Sequence, residues 1–329
     1  MGDNPISATV DFEAEGVQHG FLKLPHSHDG SAWGSLMVPI TVVKRGDGPT
    51  ALLTGGNHGD EYEGPIALFD LAKTLDPRDV NGRVIIVPAM NYPALRAGTR
   101  TSPIDGGNMN RVFPGRPDGT VTEKIADYFQ RRLLPLADLV LDIHSGGKTL
   151  AFVPFAAAHV LADKAQEARC EAAMEAFGAP FSVKLLEIDS AGMYDTAAEA
   201  LGKVFVSTEL GGGGTATAAT VAIAQRGLGN LLRHMSILAG HAESQPTIRL
   251  HMPGADCFVT GESVGLVEFC VDLGQTVRKG DVVARVHDVE RTGRAAVDYR
   301  ANLAGLLIGR HFPGLIAMGD VIAVVAARV

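Results

Sequence analysis

The chain has few cysteines and no pattern among them. Cys170, Cys257 and Cys270 are odd in number and form no C-x-x-C pair, which speaks against a disulfide framework or a zinc knuckle and for reduced thiols. A basic stripe is also missing, and a chain with a net charge of -8 is a poor partner for nucleic acid. No apolar run is long enough to span a membrane, and Met1-Gly2-Asp3-Asn4-Pro5 offers neither a charged leader nor an apolar stretch. A cytoplasmic protein without a membrane partner is therefore expected. Gly211 to Gly214 look like a phosphate cradle, but Thr215 follows them and no Gly-Lys-Ser/Thr does, so a flexible loop beside a site is the better reading.

What is present is the composition of an ordinary folded enzyme, 46% hydrophobic and 20% charged over 329 residues, enough for two cores. Gly20 to Leu24 and Leu36 to Val43 are extended apolar segments, and His26 and His28 between them read as part of a solvated loop rather than a metal pair. From residue 50 to about 240 short apolar runs (Ala51 to Thr54, Val84 to Val87, Leu139 to Ile143, Val204 to Thr208) alternate with helical patterns. The latter follow Pro65, run through Ile125, Phe129 and Leu133, and recur near 160–177 and 219–239. This is an α/β pattern with a mixed, mostly parallel sheet flanked by helices, which carries its site at the carboxyl ends of the strands. Beyond Glu243-Ser244-Gln245-Pro246 helical periodicity stops and turns recur at Gly261, Gly274, Gly280, Gly293, Gly305 and Gly319. The expected division is a catalytic domain over 1–245 and a compact all-β module over 246–329.

His58 and Glu61 lie three residues apart, after a strand and a glycine-loosened turn, where both can reach one cation. Alone, the pair is equally an exposed helix start whose acids complement the helix dipole. His144 ends another buried-type strand, and Asp142, two residues earlier on the same face, can accept a hydrogen bond from it. His58, Glu61 and His144 together make the two-histidine, one-carboxylate set of a catalytic Zn2+, one per chain, with a fourth position for water. Glu209 closes a further apolar strand and is the candidate proton shuttle; a carboxylate capping a helix is the plainer alternative. Arg111, in a loop dense in Gly and Pro, suits a substrate carboxylate, with Asn110 adding an amide contact, although alone it is as well read as a structural salt-bridge partner. Arg100 could polarise a scissile carbonyl.

Four phrases in order, H-x-x-E at 58–61, N-x-N-R-x-F-P-G at 108–115, D-I-H-S-G at 142–146 and T-E-L-G at 208–211, resemble the succinylglutamate desuccinylase and aspartoacylase family. These relatives of the zinc carboxypeptidases hydrolyse N-acyl amino acids, and the likeness covers roughly residues 50–240. The resemblance implies a zinc-carboxypeptidase-like sheet, His58, Glu61 and His144 on zinc, Glu209 as general acid and base, and Asn110 with Arg111 on the carboxylate of a small N-acyl amino acid. It bears less on Arg100, whose loop is less alike. Within the family, Gly55 to Pro65 and Ser102 to Gly115 are most similar to the branch that deacetylates an Nα-acetylated diamino acid in ectoine degradation. Such a substrate asks for an acid to meet its side-chain amine, and Glu63, Asp105 and Asp195 stand open as that partner. Other acyl substrates in the same fold, such as N-succinylglutamate, N-acetylaspartate or a peptide C-terminus, and a non-catalytic binding protein are the rival readings. The last module resembles the barrel-sandwich of biotinyl and lipoyl carriers, but its corresponding turn, His287 to Gly293, has no lysine. It is expected to shape the site entrance or a contact within a homo-oligomer.

Overall fold

The computed structural model describes residues 3–186, 189–243 and 245–329. Met1 and Gly2 of the N-terminal stretch, and Ser244 within the expected boundary, lie outside them. Among the described residues fifteen strands form one large sheet, and four C-terminal strands form a second. At the centre of the large sheet the strands Gly82–Val87, Thr50–Gly55, Leu139–His144 and Val204–Glu209 lie side by side and parallel. Every residue of the first three is buried, as expected of apolar strands covered on both faces. Gly16–Pro25 and Ser35–Arg45 extend this sheet as an antiparallel ribbon on one side. His26 and His28 stack at 5.7 Å in the loop between them, and His28 is exposed.

The helices Glu63–Thr74, Lys164–Phe177 and Ala218–His234 cover one face. They bury Leu68, Cys170, Phe177, Leu228 and Leu231 against Leu53, Leu141, Ile143 and Val206. The other face meets Val121–Tyr128 and the wider π-helical turn Phe129–Leu133 that continues it. Ile125, Phe129 and Leu133, spaced by four residues, are all buried there. Thr120 starts this helix through a reciprocal cap with Glu123.

Two strands do not stand out in the sequence. Phe155–His159, with three alanines at its centre, runs antiparallel to Val204–Glu209, and Phe181–Leu185 pairs with it in parallel. Alanine favours helix, but its small side chain lets the Lys164–Phe177 helix sit close, and pairing on both edges overrides local preference.

The C-terminal strands are sewn onto this sheet at two seams. Ile248–Met252 pairs with Phe181–Leu185 on one side and Val321–Arg328 on the other, and Leu150–Phe152 pairs with Gly305–His311. Val259, Val267, Val283, Leu307, Ile322 and Val325 fill the sandwich between the second sheet and the end of the first.

The loop after Thr50–Gly55 must pass close to the helix Tyr92–Ala97. A Cβ at Gly59 would stand 1.9 Å from the Ala94 carbonyl carbon, while Gly59 N donates to Thr99 O. Gly59→Ala should therefore cost about 1–3 kcal/mol of unfolding free energy, read from urea titration. An unchanged midpoint would show that the loop has room to shift.

Candidate functional site

The three parallel strands Thr50–Gly55, Leu139–His144 and Val204–Glu209 end at one edge, and each delivers a functional side chain there. Gly55 is in register with Ile143, and His144 with Glu209. His58 and Glu61 follow in the turn that leads into the Glu63–Thr74 helix. His58, Glu61 and His144 are buried, and each offers one ligand atom within 4.8 Å of the others. His58 Nδ1 is 2.7 Å from Glu61 Oε1, and His144 Nδ1 is 2.9 Å from Glu61 Oε2.

The tautomers follow from what the other ring nitrogens touch. Asn108 Oδ1 accepts from Asn110 N at 3.1 Å, which identifies it as the oxygen, so His58 Nε2 at 3.2 Å must donate to it. His144 Nε2 donates to Asp142 Oδ2 at 2.7 Å. With both Nε2 atoms protonated, the neutral rings turn their Nδ1 lone pairs onto an ionised carboxylate. Acceptors facing acceptors repel unless a proton or a cation sits between them, which fits a divalent ion.

The ionisation balance agrees. Burial works against charge on His144, but the Asp142 and Glu61 carboxylates beside it overcome that and raise its pKa well above the usual imidazole value. Burial lowers His58. Burial also opposes the charge of Glu61, yet the two imidazoles hold its carboxyl below the ordinary range.

Second-layer contacts hold these groups rigidly. Asp142 Oδ1 accepts from the Thr54 hydroxyl and Oδ2 from Asn57 Nδ2, both at 2.8 Å. Ser145 N donates to Glu61 Oε2 at 3.1 Å. Asp60, which the sequence left without a role, accepts from Lys148 N at 2.8 Å and pins the turn after His144. Thr54, Asn57 and Asn108 escaped the sequence reading. The signal for the first two was a polar side chain at the end of an otherwise apolar strand.

Glu209 stands beside His144 on the neighbouring strand, and its Oε2 is shut off from solvent without a hydrogen-bond partner among the described residues. Burial, then the Glu61 charge, pushes its carboxyl up to about 8. The glycines after it are no loose loop: Gly211 O accepts from Gly146 N and Phe152 N, and Gly213 N donates to Leu150 O. Gly212, at φ 134°, leaves only 2.2 Å between an added Cβ and Leu150 O.

These groups line a cavity of about 330 Å³ together with Arg100, Asn110 and Arg111. Asp142 lies behind it, under His144. Arg100 Nη1 approaches His58 Nδ1 to 3.4 Å and Glu61 Oε1 to 3.7 Å. Asn110 Oδ1 accepts from Tyr194 N at 2.9 Å, so its Nδ2 donors are what it can offer a ligand. Arg111 Nη1 donates to the backbone carbonyl of Asn110 at 2.6 Å, which holds the guanidinium against its own loop. Phe155, Met252, Phe258, Ile308 and Val324 add apolar lining. The C-terminal strands therefore build part of the cavity. Three side chains able to hold a cation, a buried carboxyl with a raised pKa, hydrogen-bond donors for an anion and an apolar lining suit hydrolysis of a small anionic acyl compound.

Residues 47–235 match the succinylglutamate desuccinylase/aspartoacylase catalytic domain. The chain is 59% identical over 325 residues to the N-alpha-acetyl-L-2,4-diaminobutyric acid deacetylase of Halomonas elongata, spanning 98% of this chain and 95% of that one. The product-bound structure of the ectoine utilization protein EutE (DoeB) from Ruegeria pomeroyi superposes with a TM-score of 0.98 at 65% identity, over 99% of this chain and all of that one. A succinylglutamate desuccinylase from a Silicibacter species gives 0.97 at 62% identity over the full length of both.

Two outcomes follow from the geometry. Asp142→Asn should weaken Zn2+ binding about 10–100-fold in chelator competition, because His144 loses the acceptor that orients it; undiminished affinity would remove Asp142 from that role. In metal-free protein, Glu209 binds more protons folded than unfolded between its ordinary 4.5 and about 8, so its contribution to stability falls as pH rises through that window. Metal-free Glu209→Gln should accordingly be more stable than the unaltered metal-free protein at pH 8, with the gap closing towards pH 5 in thermal melts.

Proposed function

The chain belongs to the succinylglutamate desuccinylase/aspartoacylase family, and we propose that it is a zinc-dependent hydrolase that removes the acetyl group of Nα-acetyl-L-2,4-diaminobutyrate. The observation that carries the reading is the convergence of His58, Glu61 and His144 with an unpartnered Glu209 in one cavity. The substrate rests on 59% identity, along almost the whole length, to a deacetylase of that compound.

His58 and His144 through Nδ1, with Glu61, would hold the ion. When bound, the ion acidifies water and polarises the acyl carbonyl. Arg111 and the Asn110 Nδ2 group bind the amino-acid carboxylate and so place the acetyl amide beside Glu209. Glu209 takes the proton from the attacking water. A bound divalent ion would offset the repulsion from Glu61 and lower the Glu209 carboxyl, leaving a group that both accepts and returns a proton. It then hands that proton to the departing amine as the C–N bond breaks, giving acetate and 2,4-diaminobutyrate. Arg100, half-exposed beside Glu61, can stabilise negative charge developing on the acyl oxygen. The apolar wall keeps bulk water from competing.

A cytoplasmic setting fits the free thiols Cys170, Cys257 and Cys270. No helix among the described residues is long and apolar enough to cross a membrane.

Glu209→Gln should lower kcat by about 10²–10⁴-fold while zinc content, measured by atomic emission, stays at the unaltered level. Retained acetate release would sink the assignment.

A further inference from the structure

The proposed substrate differs from other N-acetyl amino acids by an ammonium at the end of a two-carbon side chain. Three acids were open as its partner, and their surroundings separate them. Glu63 Oε1 accepts from the Thr220 hydroxyl at 3.1 Å, at the start of the Ala218–His234 helix, and its Oε2 has no partner among the described residues, but Glu63 does not line the cavity. Asp105 spends both oxygens on Gly107 N, Thr122 N and the Thr122 hydroxyl. Asp195 alone of the three lines the cavity.

Asp195 is 6% exposed. Its Oδ1 receives Thr196 N and the Thr196 hydroxyl, whereas Oδ2 makes no hydrogen bond, and neither oxygen pairs with Lys or Arg among the described residues. His159 also faces the cavity, but its Nδ1 is 2.8 Å from Glu199 Oε1. A carboxylate this buried and without a bonded cation carries a desolvation cost that a ligand's positive charge can repay. Consistently, burial pushes the Asp195 carboxyl up, even though the field of His159 favours its charged form.

The segment that carries Asp195 is stitched to the one that carries the carboxylate binders. Tyr194 N donates to Asn110 Oδ1 at 2.9 Å, and Phe113 N to Gly192 O at 3.0 Å. One hydrogen-bonded unit thus presents Asn110 and Arg111 for an anion and, next to Tyr194, Asp195 for a cation. Met193, Leu185 and Leu186 supply apolar surface for methylenes. From this arrangement we propose that Asp195 binds the side-chain ammonium of the substrate and sets the preference for a diamino acid. This rests on the substrate reading above.

The test compares Nα-acetyl-2,4-diaminobutyrate with Nα-acetylnorvaline, whose terminal methyl replaces the ammonium at nearly equal size. The unaltered enzyme should favour the first in kcat/KM, and Asp195→Asn should reduce that preference about 10²–10³-fold, chiefly through KM, with zinc content unchanged. Asp195→Glu, one methylene longer, should shift preference towards the shorter Nα-acetyl-2,3-diaminopropionate, and decides the matter if the Asn variant does not fold. A variant that slows both substrates equally and keeps the preference gives Asp195 a structural role only and overturns the inference. If the unaltered enzyme does not cleave Nα-acetyl-2,4-diaminobutyrate, the substrate reading falls and takes this inference with it.

Discussion

Two imidazole lone pairs aimed at one carboxylate form the constraint around which the rest of the molecule is arranged. His58 and His144 each give Nε2–H to a fixed acceptor and turn Nδ1 onto Glu61. Without a positive charge between them the three groups repel, and in a buried place the repulsion is not screened by water. The fold maintains the conflict through parallel strands in tight register, Gly59 pressed against Ala94, and an Asp142 whose oxygens are held by Thr54, Asn57 and His144.

Glu209 belongs to the same electrostatic system. It shares a strand edge with His144, feels the charge of Glu61, and leaves one oxygen without a partner. A fully hydrogen-bonded glutamate here would be a good structural element and a poor proton carrier, because each bond to the ionised form would hold its pKa low. The unmet hydrogen-bonding capacity at Glu209 Oε2 therefore fits the proton-carrying role proposed for it. The C-terminal strands serve it in turn. Phe258, Ile308 and Val324 close the cavity with apolar surface, which sharpens every charge interaction inside.

Much of this was legible in the sequence because the relevant signals are local. A buried parallel strand is a short apolar run, and candidate site residues stand where it ends; His144 and Glu209 are each the last residue of such a strand. The Asn110–Arg111 pair is visible because arginine is unexpected in a loop of Gly and Pro. The alanine-rich strand Phe155–His159 hid because its composition favours helix and only pairing on both sides makes it a strand. Asn108 and Asn57 hid because an amide's task depends on which atom it turns to which neighbour, and those neighbours, His58 and Asp142, are met only after folding.

By itself the sequence determined the residue types of the site, their order on successive strand ends, and the α/β texture followed by an all-β stretch. Periodicity and spacing along one chain carry that information. Tertiary structure alone decided which ring nitrogens face Glu61, that Glu209 Oε2 lacks a hydrogen-bond partner among the described residues, that the final strands wall the cavity, and which of three equivalent-looking acids reaches it. Those are relations between segments distant in the chain, 85 residues apart in the case of Asn57 and Asp142, and packing and register bring them into contact.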